Sequence, residues 1–543
     1  MKLSINSQPI SAQKNDNSHI KGALTLTVSA IILKILGFIY KIPLSLYLGD
    51  EGLGYFNTAY TIFSIFYLLC TAGVPKAITM LVTEAGERRR AGEERKIVKV
   101  ALLFFLILSA SVSIAFILFS DIISSVLGAE KARYTLISIA PSIVPIALSG
   151  ALRGYLGAKL KLIHIAISQI IDGIGKLACG LILAYYAHTS GLGAQMISAY
   201  TIFGVTIGAL AGLIYLWIAC NFKKAKENIG QKETVSSGNI ILKRILRISV
   251  PITLSSFVMS LCNMIDLGMI MRTLSSKGYS EELCASIYGN YTTLSVSMLN
   301  FVISLITPIS IASLPAITGA FVNSDNDRAN EVIKSSLRAT AFLGAPMVLG
   351  IFIFSSDILS ILFPSSNIEL GAPLLSLLIP AGAILPIIML VNSTLEASGK
   401  FYAPLLSMLV GSIMKILVGG IIMNTGENPI IGAPIGTVAS YICALFISLL
   451  VLSKIKGIKA PILKTHIIPY LNAFISVYIG REIKDMKLYD LGEVASMLIT
   501  ILVCAIIYGA LSLLSGVLKI KSSNSVKINK SIEHNSLKKT NNA

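Results

Sequence analysis

The sequence predicts an all-α, polytopic membrane protein of about fourteen transmembrane helices, arranged as two parallel-repeat six-helix lobes plus two C-terminal helices. Three observations carry this. The 543 residues are 54% hydrophobic and 13% charged with a mean hydropathy of +0.78, too apolar for a soluble multidomain protein. Apolar stretches long enough to span a bilayer fall at 22–48, 55–84, 97–120, 134–156, 163–187, 196–221, 243–272, 284–321, 332–355, 371–396, 402–424, 430–453, 465–480 and 493–518. Finally, Pro75-Lys76-Ala77-Ile78-Thr79 is echoed by Pro315-Ala316-Ile317-Thr318, and Pro141, Ala158 and Lys176 fall 239 residues before Pro380, Ala397 and Lys415. Six spans separate the copies, an even number, so both run the same way through the membrane.

In chain order this gives a cytoplasmic leader at 1–20, an N-terminal lobe at 21–222, a cytoplasmic linker at 223–242 and a C-terminal lobe at 243–454. Two further spans occupy 455–519, and a disordered basic tail occupies 520–543. The polar leader runs directly into a full-length span without a cleavage site, so the first helix is expected to be retained. The formal charge of +18 follows from topology, because the basic residues are scattered between spans rather than gathered on a nucleic-acid-binding face. With the N-terminus inside, 32 Lys and Arg fall on the cytoplasmic side against seven outside, which places both termini in the cytoplasm of a cell-membrane protein.

The other six basic residues lie within spans: Lys34, Lys41, Lys76, Arg153, Lys176 and Lys415. Each lipid-facing lysine at mid-membrane costs about 3 kcal/mol, so six would cost roughly 15 to 20 kcal/mol, more than a fold of ordinary stability absorbs. Lys41, Lys76 and Arg153 are close enough to an interface to snorkel. Lys34, Lys176 and Lys415 are deeper and call for a polar interior. A spacing of seven puts Lys34 and Lys41 on one helix face.

Asp172 and Lys176 stand at i and i+4 with Gln169 on the same face, and this spacing fits a structural pair and a cavity lining equally. Asp266 and Arg272 do not face each other on one helix and are expected to serve different partners. Five intramembrane cations against Glu84 and Asp172 in the first lobe imply a positive cavity, suited to an anion that Arg grips bidentately and Lys as a point charge. Seven scattered cysteines, five histidines and the absence of H-E-x-x-H, P-loop or paired catalytic carboxylates point to transport rather than catalysis, with no metal or cofactor.

The opening KGALTLTVSAIILKILGFIYKIPLSLYLGDEGLGYFNTAY and TAGVPKAIT resembles the stage V sporulation protein B group of polysaccharide and lipid-linked-precursor exporters, within the multidrug/oligosaccharidyl-lipid/polysaccharide flippase superfamily. Arg153-Gly154-Tyr155, the AISQ of Ala166–Gln169, Asp172 and the NMID of Asn263–Asp266 extend the likeness across roughly residues 20 to 520. The resemblance implies two six-helix lobes plus two C-terminal helices, with basic first-lobe residues such as Lys34 and Lys41 lining the cavity. It also implies a flippase that moves an anionic undecaprenyl-diphosphate-linked precursor, lipid II or a similar lipid-linked oligosaccharide, from the inner to the outer leaflet by alternating access. The substrate-binding set expected is Lys34, Lys41, Lys76, Arg153, Gln169, Asp172, Lys176, Asp266, Arg272 and Lys415.

Departures from the group are Gly157-Ala158 in place of Gln-Gly, His164 in place of Pro and Met80 in place of Lys, with Lys76 one turn earlier. The alternative is a multidrug or cation antiporter of the same superfamily, which should present free acids to its cargo.

Overall fold

The computed structural model describes residues 16–71, 73–88, 90–159, 161–220, 236–400, 402–485 and 492–517. The expected tail at 520–543 and most of the leader and linker lie outside the described residues, as does the side chain of Lys34.

The first half of the chain forms α1 (Asp16–Thr71), α2 (Val74–Glu87), α3 (Ala91–Leu118), α4 (Ser120–Val126), α5 (Arg133–Ile139), α6 (Ile143–Ala158), α7 (Leu162–Thr189) and α8 (Ala194–Cys220). The second half forms α9 (Gly238–Ser276), α10 (Glu281–Asn290), α11 (Ser297–Val322), α12 (Asn326–Ile353), α13 (Ser355–Leu362), α14 (Ile368–Leu378) and α15 (Ala381–Ala397). It continues with α16 (Tyr402–Thr425), α17 (Gly432–Ser453), α18 (Ile462–Asp485) and α19 (Glu493–Leu514). No strand occurs among the described residues. Eleven helical segments among them are long and apolar enough to cross a membrane.

Four boundaries differ from the sequence expectation. The first two spans form one rod that turns at Gly49, whose φ of 59° a side chain would strain. The second span, expected unbroken over 55–84, stops at Thr71 and restarts at Val74, because Pro75 offers no backbone N–H and is tolerated only in the first turn of the new helix α2. The helix expected from residue 243 begins at Gly238. The overlong stretch 284–321 is α10 joined to α11 through a π-helical turn over Tyr291–Val296.

Polar side chains cap α12 and α14, with Asp325 accepting from the Arg328 N–H at 2.9 Å and Asn367 from the Leu370 N–H at 3.1 Å.

Small residues set the helix pairing. Gly204, Gly208 and Gly212 repeat every four residues along α8, and a Cβ at Gly208 would stand 2.4 Å from the Asp172 carbonyl oxygen. This backbone-level approach fixes α8 behind α7. The pair α16 and α17, about 239 residues on, meets the same way: a Cβ at Gly436 would stand 3.0 Å from the Cα of Gly419 and 3.1 Å from the Lys415 carbonyl oxygen.

The two halves of the chain meet tightly at the Gly49 end. A Cβ at Gly54 would lie 1.9 Å from the Ala285 carbonyl oxygen, and one at Gly289 would lie 2.1 Å from the Asp50 carbonyl oxygen. Around this crossing, Asn290 donates to Asp50 Oδ2 at 3.1 Å and to the Asn367 carbonyl at 2.8 Å, while the Asn367 N–H donates to Asp50 at 2.8 Å. Lys131 pairs with Glu282 at the rim. A buried cluster with Leu44, Tyr55, Leu136, Leu267, Tyr288 and Leu374 packs beneath it.

Candidate functional site

Away from that seal, α1, α2, α6 and α7 enclose a cavity of about 640 Å³ bordered by Tyr67, Lys76, Thr79, Met80, Arg153 and Gln169. Lys76 is exposed at its wall, within electrostatic reach of Glu396 on α15. Thr79 fixes the join between α2 and α6 by donating at 2.8 Å to the Pro75 and Gly154 carbonyls. Gly154 has no room for a side chain there, since its Cβ would sit 2.7 Å from Pro75 O. The adjacent Arg153 is thereby turned toward α7.

Arg153 donates through Nε to Ser168 Oγ at 3.2 Å and through Nη2 to Asp172 Oδ2 at 3.5 Å. Its side chain is 12% accessible and that of Asp172 is 26% accessible, so the pair borders the cavity without being sealed from it. Asp172 is therefore engaged by Arg153 across the α6–α7 hairpin rather than by Lys176 one turn along its own helix. Lys176 instead donates to the Tyr60 hydroxyl at 3.1 Å and lies 4.5 Å from the centroid of that ring, a cation–π contact.

Lys41 lies within electrostatic reach of Lys176 and donates to Ser297 Oγ at 2.6 Å. It borders a second cavity of about 310 Å³ between α1 and α11, with Phe38, Asn300, Phe301 and Ser304. Ser297 in turn donates to the Thr292 carbonyl five residues back, a bond that the π-helical turn makes possible. Asn57, on the same rod as Lys41, donates to Thr292 Oγ1 at 2.9 Å and Thr293 Oγ1 at 2.8 Å.

Four of the expected residues thus line the two cavities, Lys76, Arg153 and Gln169 the larger and Lys41 the smaller, while Asp172 stands behind Arg153 and Lys176 beside Tyr60 and Lys41. Asp266, Arg272 and Lys415 do not join them, and the side chain of Lys34 lies outside the described residues. Lys415 and Asp266 pair with each other, at 15% and 25% side-chain accessibility, near Tyr288 and Tyr291. Arg272 is exposed at the Gly49 end and donates to the Val126 carbonyl at 3.0 Å, too far along the bundle to face the cavities. Glu84 pairs with Arg88 and Arg244, which ties α2 to α9 at the opposite end. The sequence reading overlooked Tyr60 and Tyr67; their spacing of seven, the same as that of Lys34 and Lys41, was the available signal.

The Lys415–Asp266 pair has a testable stability role. Asp266→Ala should lower unfolding stability by about 3 kcal/mol, because it takes the carboxylate away from an ammonium group held in a low-dielectric interior. Asp266→Ala with Lys415→Met should recover much of that, as read from thermal midpoints in one detergent; equal losses in the single and double variants would rule out the coupling.

A helical bundle with many candidate spans, halves that meet at one end and charged groups held in interior cavities defines a multi-pass membrane transporter. Residues 19–321 match the family described as Polysaccharide biosynthesis protein, and the chain belongs to that family. It is 23% identical over 513 residues to Stage V sporulation protein B of Bacillus subtilis, covering 92% of this chain and 96% of the relative. It is 22% identical to Lipid II flippase MurJ of the same organism, covering 90% and 93%.

Among solved structures, Lipid II flippase MurJ in an inward closed conformation matches with a TM-score of 0.70 at 16% identity, covering 90% of this chain and 98% of that one. An inward-facing multidrug resistance MATE transporter of the MOP superfamily matches at 0.63 with 14% identity, covering 78% and 96%. At these identities the structural likeness is one of fold. The family and these neighbours are flippases and transporters, not enzymes.

Proposed function

We propose that this protein is a plasma-membrane flippase that moves an undecaprenyl-diphosphate-linked cell-wall precursor, lipid II-like or another lipid-linked oligosaccharide, from the inner to the outer leaflet. In this reading fourteen spans form two six-helix lobes plus two C-terminal helices, both termini are cytoplasmic, and the Gly49 end faces outward. One observation carries the proposal: Lys76, Arg153 and Lys176 gather beside a cavity on the far side of a seal between the chain's two halves. Its relatives' names, a lipid II flippase and a sporulation protein among them, agree with it.

Mechanistically, the diphosphate enters from the cytoplasmic side and is held by Arg153, Lys176 and Lys76, with Lys41 within electrostatic reach of Lys176 and Lys34, seven residues before Lys41, on the same face of the helix by sequence spacing. The prenyl chain stays in lipid. Lys176 and Lys41 donate to neutral hydroxyls, so each can exchange a weak partner for a phosphate oxygen and gain a charge-assisted hydrogen bond. Rocking of the lobes then breaks the bonds from Asn290 and Asn367 to Asp50 and opens the outer end. Carrying negative charge outward from a negative interior gains about 2.3 kcal/mol per charge per 100 mV. Lys34→Ala should abolish turnover at normal protein levels, measured as the fraction of precursor reaching the outer leaflet; unchanged flipping would remove Lys34 from the site.

A cation antiporter is the second reading, favoured by the MATE-like fold. Such a site needs acids open to the cargo, yet Asp172 and Asp266 each face a cation. Retention of a cation rather than a prenyl diphosphate in native mass spectrometry would favour the antiporter.

A further inference from the structure

Phe56, Tyr60, Phe63 and Tyr67 are spaced four, three and four residues apart along α1, so they share one face. Their rings form a continuous ladder with successive centroids 6.2, 5.9 and 6.1 Å apart. The phenylalanines are buried at 6% and 2% exposure, whereas Tyr60 and Tyr67 are open at 37% and 39%. Buried rings thus anchor a face from which two tyrosines emerge.

Those open faces look into the protein's polar interior. On the turn that carries Tyr60, Asn57 and Thr61 bond to Thr292, Thr293 and Tyr288 of the chain's other half, and the Tyr60 hydroxyl accepts from Lys176. Tyr67 borders the 640 Å³ cavity beside Arg153 and is within electrostatic reach of Arg153, Asp172 and Lys176.

We infer that Tyr60 and Tyr67 form a stacking track for the saccharide of the cargo, which makes this site selective for a sugar-bearing prenyl diphosphate over the bare lipid diphosphate. The inference rests on the prenyl-diphosphate reading above. A pyranose ring presents axial C–H bonds on one face and hydroxyls around its rim. The C–H face lies flat on an aromatic ring, and the rim is left for polar neighbours such as Gln169 and Lys76. Seven helical residues separate the two rings by about 10 Å along the axis, on the order of one disaccharide. Lys176 lies over the Tyr60 ring and frees that face when it turns to the diphosphate, and Arg153 borders the cavity beside Tyr67. Diphosphate and sugar can therefore be held side by side, and the ladder keeps both platforms rigid before the cargo arrives.

The test uses the purified full-length protein and two probes in native mass spectrometry titrations: undecaprenyl diphosphate, and the same lipid diphosphate carrying the lipid II disaccharide-pentapeptide. Tyr67→Ala should weaken binding of the saccharide-bearing probe about tenfold and that of the bare diphosphate less than twofold, while Tyr67→Trp stays near wild type. Tyr60→Phe, which keeps the ring but loses the hydroxyl facing Lys176, should retain the preference for the sugar-bearing probe. Equal losses on both probes in Tyr67→Ala, or no loss on the saccharide-bearing one, would overturn the track. Failure of the wild-type protein to bind either probe would overturn the prenyl-diphosphate reading itself, and the track with it.

Discussion

Lys176→Met is expected to slow precursor translocation by tenfold or more while leaving the amount of folded protein unchanged. A charge-assisted contact to phosphate contributes about 1.5 to 3 kcal/mol, which corresponds to roughly 10- to 100-fold in binding. The fold should tolerate the change because Asp172 keeps Arg153, and Lys176 gives up only a tyrosine hydroxyl and ring as partners. Arg153→Met is a poorer probe: it strips the guanidinium from a half-buried carboxylate and from Ser168, so lost activity would be mixed with lost protein. A Lys176→Met protein that flips at the wild-type rate would take the ammonium group out of the transport step.

Gly289→Leu should be comparably damaging by a different route. Even a Cβ at this position would stand 2.1 Å from the Asp50 carbonyl oxygen and 2.4 Å from the Gly54 nitrogen, both backbone atoms that cannot rotate away. α1 and α10 would have to separate, breaking the bonds that Asp50 on α1 accepts from Asn290 and from the Asn367 N–H. Losing two hydrogen bonds at about 1 kcal/mol each, together with the steric clash, disfavours the sealed state by several kcal/mol and traps the carrier open at that end. The expected result is transport below a tenth of wild type. Labelling of an Asn57→Cys reporter by a membrane-impermeant maleimide should rise in parallel. Unchanged labelling together with unchanged transport would show that the Gly54–Gly289 crossing is not a gate.

The spans were readable from sequence because hydropathy records which segments avoid water: Leu162–Thr189 was expected at 163–187 and Tyr402–Thr425 at 402–424. Partners were less readable. Spacing offered Lys176 to Asp172, but an i,i+4 pair contributes only about 0.2 to 0.5 kcal/mol, less than a guanidinium contact reaching across from α6. No periodicity encodes that the α6–α7 hairpin brings Arg153 there. The 239-residue offset pairs Lys415 with Lys176 by position, and in both helices the lysine backbone packs against glycines of the next helix.

The roles of the two lysines nonetheless diverge, since Lys415 faces Asp266, a residue 149 positions away. Arg272 shares with the site only its residue type, and it sits at the bundle's end against the Val126 carbonyl. The tyrosines were passed over because an apolar span hides the difference between a ring packed in a core and a ring facing a cavity; only burial separates Phe63 from Tyr67.

The most direct test is leaflet-resolved transport in proteoliposomes of known orientation. A fluorescent undecaprenyl-diphosphate saccharide is followed from the cytoplasmic to the opposite leaflet, with and without a potential negative on the cytoplasmic side. The wild-type protein should move it, and faster with the potential applied, whereas Lys176→Met should fall at least tenfold under both conditions. Wild-type protein that leaves the lipid in its starting leaflet, or equal rates in wild type and Lys176→Met, would contradict an anion-binding transport site at these cations.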